Sequence, residues 1–313
     1  MRIHALSTPT TIIMRCLFLM GAHRSGTSWL HQLLDSSAEF SALTYWEVLQ
    51  RVNRGDPALC REAVGQELAR QGGSRAFDDV RIGLDEPEEY GWLLEAKPFD
   101  LYTRRPISNT DFAPLEDLVE SKCRRGSVVP WLLLKNPVDF YDGFLALDCK
   151  FPDAYFLFLH RHPLAVFRSQ VMSWRHLWQH PNGWLKSLDS GYAQAIVDPL
   201  KSRLVRHSLY DPRYLERMLL TLAEAFELHV RREAEMKAQS MRLRYEDLCA
   251  DPAKQLQRIA GWLNLQQPLR VPKALVVKPR CLGDDPMIRR LYQSHCHRFK
   301  AYCDWLKYDL EAL

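Results

Sequence analysis

The stretch MGAHRSGTSWL, residues 20–30, holds the residue types that grip a phosphate. Gly21 and Gly26 have the separation of the glycines in the phosphate loop G-x-x-x-x-G-K-[ST], and Ser28 takes its hydroxyl position. In the ATP-binding form, backbone N–H groups and the lysine cradle the phosphates while the hydroxyl holds Mg²⁺. Here Thr27 stands in place of the lysine, and Arg24 lies inside the loop. The backbone cradle for an anion is kept, and the reach to a third phosphate is lost. Arg24 adds a planar, delocalised charge suited to bidentate contact with oxyanions.

Two further cationic positions follow apolar runs. Lys135 closes VVPWLLLK and Arg161 follows AYFLFLH, with Ser169 eight residues on and Arg168 beside it. Alone, Arg161 could pair with a surface carboxylate and Ser169 fill a helix. Together with the glycine loop, they form a second anion site on a neighbouring strand, and the two sites fit one nucleotide carrying phosphates at both ends of its ribose. Lys135 has two readings, as a stabiliser of a transferring group or as the partner of a carboxylate. Proton acceptors available nearby are Glu47, Asp139, His23, and Glu88 and Glu89 of DEPEEY. The DEPEEY pair reads most simply as helix-start capping, and His23 as a hydrogen-bonding loop residue. Trp29 and Trp46 stand where they could line the site.

These residues need a scaffold that presents them together. The sequence predicts a strand over about 12–20, the glycine loop, and a helix in SWLHQLLDSS, the context a phosphate loop requires. VVPWLLLKNP and AYFLFLHRHP read as buried parallel strands joined through a helix in VDFYDGFLALDCKFPD. A helix opens at Pro163, where a missing N–H costs nothing. DPRYLERMLLTLAEAFELHVRREAEMKA is a long amphipathic helix, and MRLRYEDL a short strand before the helix DPAKQLQRIAGWLNL. Ligands of such sheets sit outside the carboxyl ends of the strands, where the three motifs fall. The expected fold class is therefore α/β: a P-loop-like central parallel sheet flanked by helices, one domain over residues 1–313. Residues 50–125 are expected to form a helical insertion over the sheet, building an acceptor pocket with the tail KPRCLGDDPMIRRLYQ.

Composition narrows the function classes. The 313 residues are 47% hydrophobic and 26% charged, enough for a sizeable core. A net charge of +4, from 42 basic and 38 acidic residues, is too mild and too evenly spread for a nucleic-acid binder. The pairs Arg104-Arg105 and Arg124-Arg125 read as solvated surface. Eight scattered cysteines show no C-x-x-C pair and no zinc-ligand spacing, so no metal site is expected and a reduced, cytoplasmic protein is the default. The run TIIMRCLFLMGA is broken by Arg15 and is far shorter than the roughly 20 residues that span a bilayer, so it is read as a strand, with no membrane span and no targeting segment. Oligomeric state has no signal in the sequence.

GAHRSGTSWL and LHRHPLAVFRSQV together resemble the sulfotransferases that use 3′-phosphoadenosine 5′-phosphosulfate (PAPS). LTYWEVL, LLLKNPVDF, FPDAYFLFLHRHP and RYEDLCADP resemble that family's intervening segments in the same order, over about residues 15–265. The likeness is greatest to the bacterial-type branch, and it extends to protein-tyrosine sulfotransferases around KNPVDF and FPDA. It implies that Arg24, Ser25, Gly26, Thr27 and Ser28 grip the 5′-phosphosulfate, that Arg161 and Ser169 grip the 3′-phosphate, and that Tyr245 lies near the adenine. It also accounts for the missing lysine: a phosphosulfate has no γ-phosphate, and Arg24 can meet the bridging oxygen as charge builds there. The implied reaction is a metal-independent in-line transfer of a sulfuryl group to a small-molecule hydroxyl acceptor, releasing 3′,5′-ADP. Glu47 is the expected base, at about the place where these branches carry a carboxylate soon after the first helix. Asp139 is the alternative, because Pro137 replaces the histidine that many cytosolic members carry two residues after the strand lysine. A P-loop kinase or a non-catalytic nucleotide-binding protein remains as a competing reading.

Overall fold

Strand β1 (Arg15–Met20) is apolar at every position after Arg15, so both of its faces must be covered. Cys16, Phe18 and Met20 point into one buried cluster, and Leu17 and Leu19 into another. This double burial is what a central parallel strand needs. The computed structural model describes residues 15–53, 56–78, 80–94, 112–124, 131–275 and 285–310. Residues 12–14 of the expected first strand, residues 54, 55, 79, 95–111 and 125 of the expected insertion, with Arg104, Arg105 and Arg125 among them, and the 278–284 part of the expected acceptor-binding tail, with Cys281, lie outside them.

Four more strands join β1: β2 (Phe40–Ala42), β3 (Trp131–Lys135), β4 (Tyr155–His160) and β5 (Gln239–Arg244). The sheet is parallel throughout, in the order β2-β3-β1-β4-β5. Strand β1 is thus flanked by β3 and β4, which brings their three carboxyl ends side by side. The α/β sheet expected from the sequence is present; the three-residue edge strand β2 was not predicted.

The helices run in chain order as α1 (Thr27–Asp35), α2 (Tyr45–Val52), α3 (Arg61–Arg70), α4 (Ala113–Arg124), α5 (Gly143–Lys150), α6 (Pro163–Gln179), α7 (Gly183–Leu188), α8 (Ser190–Val197), α9 (Pro199–Ser208), α10 (Pro212–Arg232), α11 (Tyr245–Ala250), α12 (Pro252–Leu263), α13 (Pro286–His295) and α14 (Lys300–Leu306). Four of them start at an Asp-Pro dipeptide: Asp198, Asp211, Asp251 and Asp285 cap α9, α10, α12 and α13 with their carboxylates. Proline fits the first turn because it has no N–H to leave unpaired. One sheet face packs on α1, α11 and α12 through Leu30, Leu33, Leu248, Leu256 and Ile259. The other takes α5, α6, α10, α13 and α14, with α10 burying Leu215, Met218, Leu219, Leu222 and Phe226 at helical spacing. Between β2 and β3 the described residues are helical or turn-like, with a 3₁₀ turn at Tyr90–Leu93. Among the described residues no helix is long and apolar enough to cross a membrane.

The core also buries histidines as neutral rings. His229 of α10 stacks on Phe140 with centroids 4.5 Å apart, and His160 at the end of β4 lies beside it. Burial pushes His229 down to about 3 and His23 to about 4, and holds His31 and His160 well below the ordinary histidine value. The unfolded chain therefore binds more protons than the folded one as pH drops below the ordinary histidine pKa, and stability falls with it. Asp139, raised by burial to about 6, and Glu88 and Asp35, also raised by burial, act in the opposite sense but are fewer than the histidines. Thermal unfolding followed by circular dichroism should show the midpoint falling by several degrees from about pH 7 to about pH 5.

Candidate active site

The glycine loop turns abruptly between β1 and α1. Ser25 N–H donates to the Ala22 carbonyl at 2.9 Å, and Gly26 has φ 98°. Any side chain at Gly26 would collide with the Tyr245 ring, and one at Gly21 with the Leu159 carbonyl and the Ser25 hydroxyl. Arg24 itself is held in the left-handed region at φ 74°, which a non-glycine residue adopts only under constraint. Helix α1 begins without a side-chain cap, so its first-turn amides face the loop's hollow with the positive end of the helix dipole. The Ser25 hydroxyl is buried and has no hydrogen-bond partner. These groups make a cradle for an anion.

The loop forms one wall of a cleft that is also lined by Glu89, Lys135 and Trp184. Lys135, at the end of β3, is almost fully buried and reaches Ser28 Oγ at 2.8 Å and the Glu89 carboxylate. A cation thus rests on the hydroxyl that would carry Mg²⁺ in an ATP-binding loop. Burial works against the charged form of Glu89, yet the charges of Lys135 and Arg75 and the Lys135 hydrogen bond hold its pKa below the usual carboxylate range. Lys135 is lowered by burial and by Arg75, with Glu89 opposing. Glu88 points the other way, accepting from the indoles of Trp92 (3.2 Å) and Trp184 (2.7 Å); burial and the Glu89 charge raise its pKa.

The opposite side of Arg24 holds the second set of basic residues. Its Nε donates to Ser169 Oγ at 3.2 Å, and Arg161 donates to its carbonyl at 2.9 Å. The Arg161 guanidinium lies 4.4 Å above the Tyr245 ring, whose packing on Gly26 closes the group. Arg24 Nη1 also meets Asp78 at 2.7 Å, and Asp78 lies 3.4 Å from Arg75. Against its burial, those two arginines keep Asp78 ionised. His23 lines the cleft and accepts from Gln170 through its carbonyl, as a loop residue would.

The structure therefore gathers Arg24, Ser25, Gly26, Thr27, Ser28, Lys135, Arg161, Ser169 and Tyr245 around one loop. It places the two expected bases elsewhere. Glu47 is outside the cleft lining: it accepts from Thr44 N–H in a reciprocal capping box on α2 and pairs with Lys122 at 2.5 Å. Asp139 is fully buried, accepting from Tyr90 and from Asn136 at 2.9 Å, and it too is outside the lining. Trp29 donates to the Leu275 carbonyl at 2.8 Å and Trp46 packs under Arg61, so neither lines the cleft. Trp92, Trp174 and Trp184 do. Sequence reasoning missed the Arg75–Asp78 segment altogether. It also took Glu88 and Glu89 for capping residues, whereas Glu89 precedes the 3₁₀ turn without a capping bond and spends its side chain on Lys135. Among the described residues no cluster of His, Cys, Asp and Glu could hold a metal ion.

The model of the sulfotransferase family matches residues 16–268, most of the chain. The chain belongs to the sulfotransferase family. Curated relatives from Mycobacterium bovis and Mycobacterium tuberculosis, both omega-hydroxy-beta-dihydromenaquinone-9 sulfotransferase Stf3, are 25% identical to it over 272 residues, 80% of this chain. The chain spans about 62% of their length. Among solved structures, sulfotransferase STF9 from Mycobacterium avium shares the fold at a TM-score of 0.54 and 20% identity, covering 96% of this chain and 79% of that one. STF1 from M. tuberculosis does so at 0.52 and 19%, covering 91% and 72%. The fold class expected from the sequence is thus the family's own.

In this sulfotransferase-family chain the Lys135–Glu89 pair is buried, so removing one partner strands the other. Lys135→Met should cost about 3–5 kcal/mol. Adding Glu89→Gln should recover part of that loss rather than add to it, as a double-mutant cycle by urea unfolding would show.

Proposed function

We propose that the protein transfers the sulfuryl group of PAPS in line to the hydroxyl of an apolar small molecule, without a metal ion. The observation that carries this reading is that the anion cradle of the loop and the Lys135–Glu89 pair share one cleft. The residues fit the donor: an unpartnered buried Ser25 hydroxyl, an uncapped helix start and a backbone too tight for any side chain suit a phosphosulfate. Arg161, Ser169 and Tyr245 would hold the 3′-phosphate and the adenine end. When bound, PAPS supplies the electrophilic sulfur and 3′,5′-ADP as leaving group.

Arg24 and Lys135 then stabilise charge where it develops, and the loop amides orient the phosphate. Glu89 takes the acceptor proton. Its ionised state, its exposure to the cleft and its contact with Lys135 support that role over Glu47 and Asp139. The kinase reading is disfavoured by Thr27 and by the Lys135 ammonium on Ser28. Phe77, Trp92, Trp174, Trp184, Leu177 and Leu185 line the rest of the cleft, which favours an apolar acceptor. The hydroxylated menaquinone derivative in the relatives' name agrees with such chemistry.

Calorimetric titration should detect 3′,5′-ADP binding without Mg²⁺; a preference for MgATP would sink the proposal. Arg24→Ala and Arg161→Ala should each weaken that binding about 10- to 100-fold, the equivalent of one lost charge-assisted contact. Glu89→Gln should keep nucleotide affinity and slow turnover by about 10²- to 10⁴-fold, with Glu47→Gln near wild type. The reverse pattern would return the base to Glu47.

A further inference from the structure

A surface outside the cleft has the opposite of the usual solvent-facing character. Val197, Leu200, Leu204 and Tyr210 are 69%, 68%, 61% and 50% exposed, at the turn from α8 into α9 and just beyond it. Leu200 and Leu204 are one helical turn apart and so share a face of α9. The helical wheel puts Arg203 on one flank of that ridge, with exposed His207 between it and the leucines, and Lys201 on the other flank, while Arg206 is exposed farther round toward the inner face. The inner face, with Ser202 buried, packs on α6 and α8. Met172 of α6, 36% exposed, is the other large apolar side chain at the surface among the described residues.

We infer that the α8–α9 corner docks this protein on an anionic phospholipid surface. A short helix with protruding leucines between cationic flanks lies in the plane of a headgroup layer, its apolar ridge inserted and its lysine and arginines spread among the phosphates. Charge decides against a second copy as occupant. At α9 the cap Asp198 is engaged by the Leu200 and Lys201 amides and lies 3.7 Å from the Lys201 ammonium, which leaves Arg203 and Arg206 as the excess positive charge. Two such faces set together would oppose like charges. Arg203 and Arg206 form no ion pair among the described residues, so they are available to lipid phosphates. Leu200 and Leu204 stand exposed on the helix surface and line no described cleft, whereas a peptide-binding site would be a groove. Since α8 carries the cleft residue Tyr192 and α9 packs against it, docking would bring the cleft wall to the bilayer. The inference does not depend on which reaction the cleft performs.

The test is co-sedimentation of the full chain with vesicles of phosphatidylglycerol and phosphatidylcholine, against pure phosphatidylcholine. Binding is expected on the anionic vesicles, falling as salt rises, and little on the neutral ones. Leu200→Ser with Leu204→Ser should lower the partition coefficient about tenfold or more, and Arg203→Glu with Arg206→Glu should abolish it. Circular dichroism and 3′,5′-ADP titration of the same variants should match wild type, because none of these residues touches the cleft. Failure of the wild type to sediment with anionic vesicles overturns the inference, as do variants that sediment equally well. A dimer in light scattering that the leucine variants convert to monomer, or leucine-dependent binding to polyglutamate without vesicle binding, overturns it too.

Discussion

The buried contact between Lys135 and Glu89 constrains the site more than any other. An ammonium at the end of a fully buried strand is stable only if something answers its charge. Glu89 does so from the end of a segment that shares no strand with β3, and the Ser28 hydroxyl takes a further donor. The 3₁₀ turn that presents Glu89 is tied down just below. Tyr90 donates to Asp139, Asn136 donates to the same carboxylate, and Gly91 leaves room for the Asn136 amide. Asp139 thereby belongs to the support of the pair: it fixes the turn that carries Glu89.

Much of the scaffold was readable because its signals are local. Apolar runs marked β1, β3 and β4, and glycine spacing marked the loop. The edge strand β2 was hidden because three residues carry no periodicity. The choice of carboxylate shows where such reading stops. Thr44-x-x-Glu47 is itself the sequence signature of a capping box, so the local role of Glu47 could have been read. The partner of Glu89 could not, since Lys135 lies 46 residues away and only the sheet brings them together. The Arg75–Asp78 segment was silent for the same reason: its residues acquire a role only by folding against Arg24 and Trp184.

The substitution at Thr27 has a structural counterpart. In a phosphate loop with its own lysine, loop and cation come from one segment. Here the loop contributes the backbone cradle and Arg24, and the compact cation arrives from the neighbouring strand. Dividing the task places one positive group on each side of the loop, with Arg161 behind Arg24 and Lys135 before it.

Asp78 gives the arrangement its resting condition. Its carboxylate sits on Arg24 and near Arg75, a built-in counter-ion that keeps two guanidinium groups from facing each other bare. On the proposed reading, an anion that takes Arg24 Nη1 competes with a carboxylate already there instead of filling an unmet charge. A weakly charged or badly shaped anion would gain little from such a trade, so Asp78 would tune the loop's selectivity without having to touch the ligand.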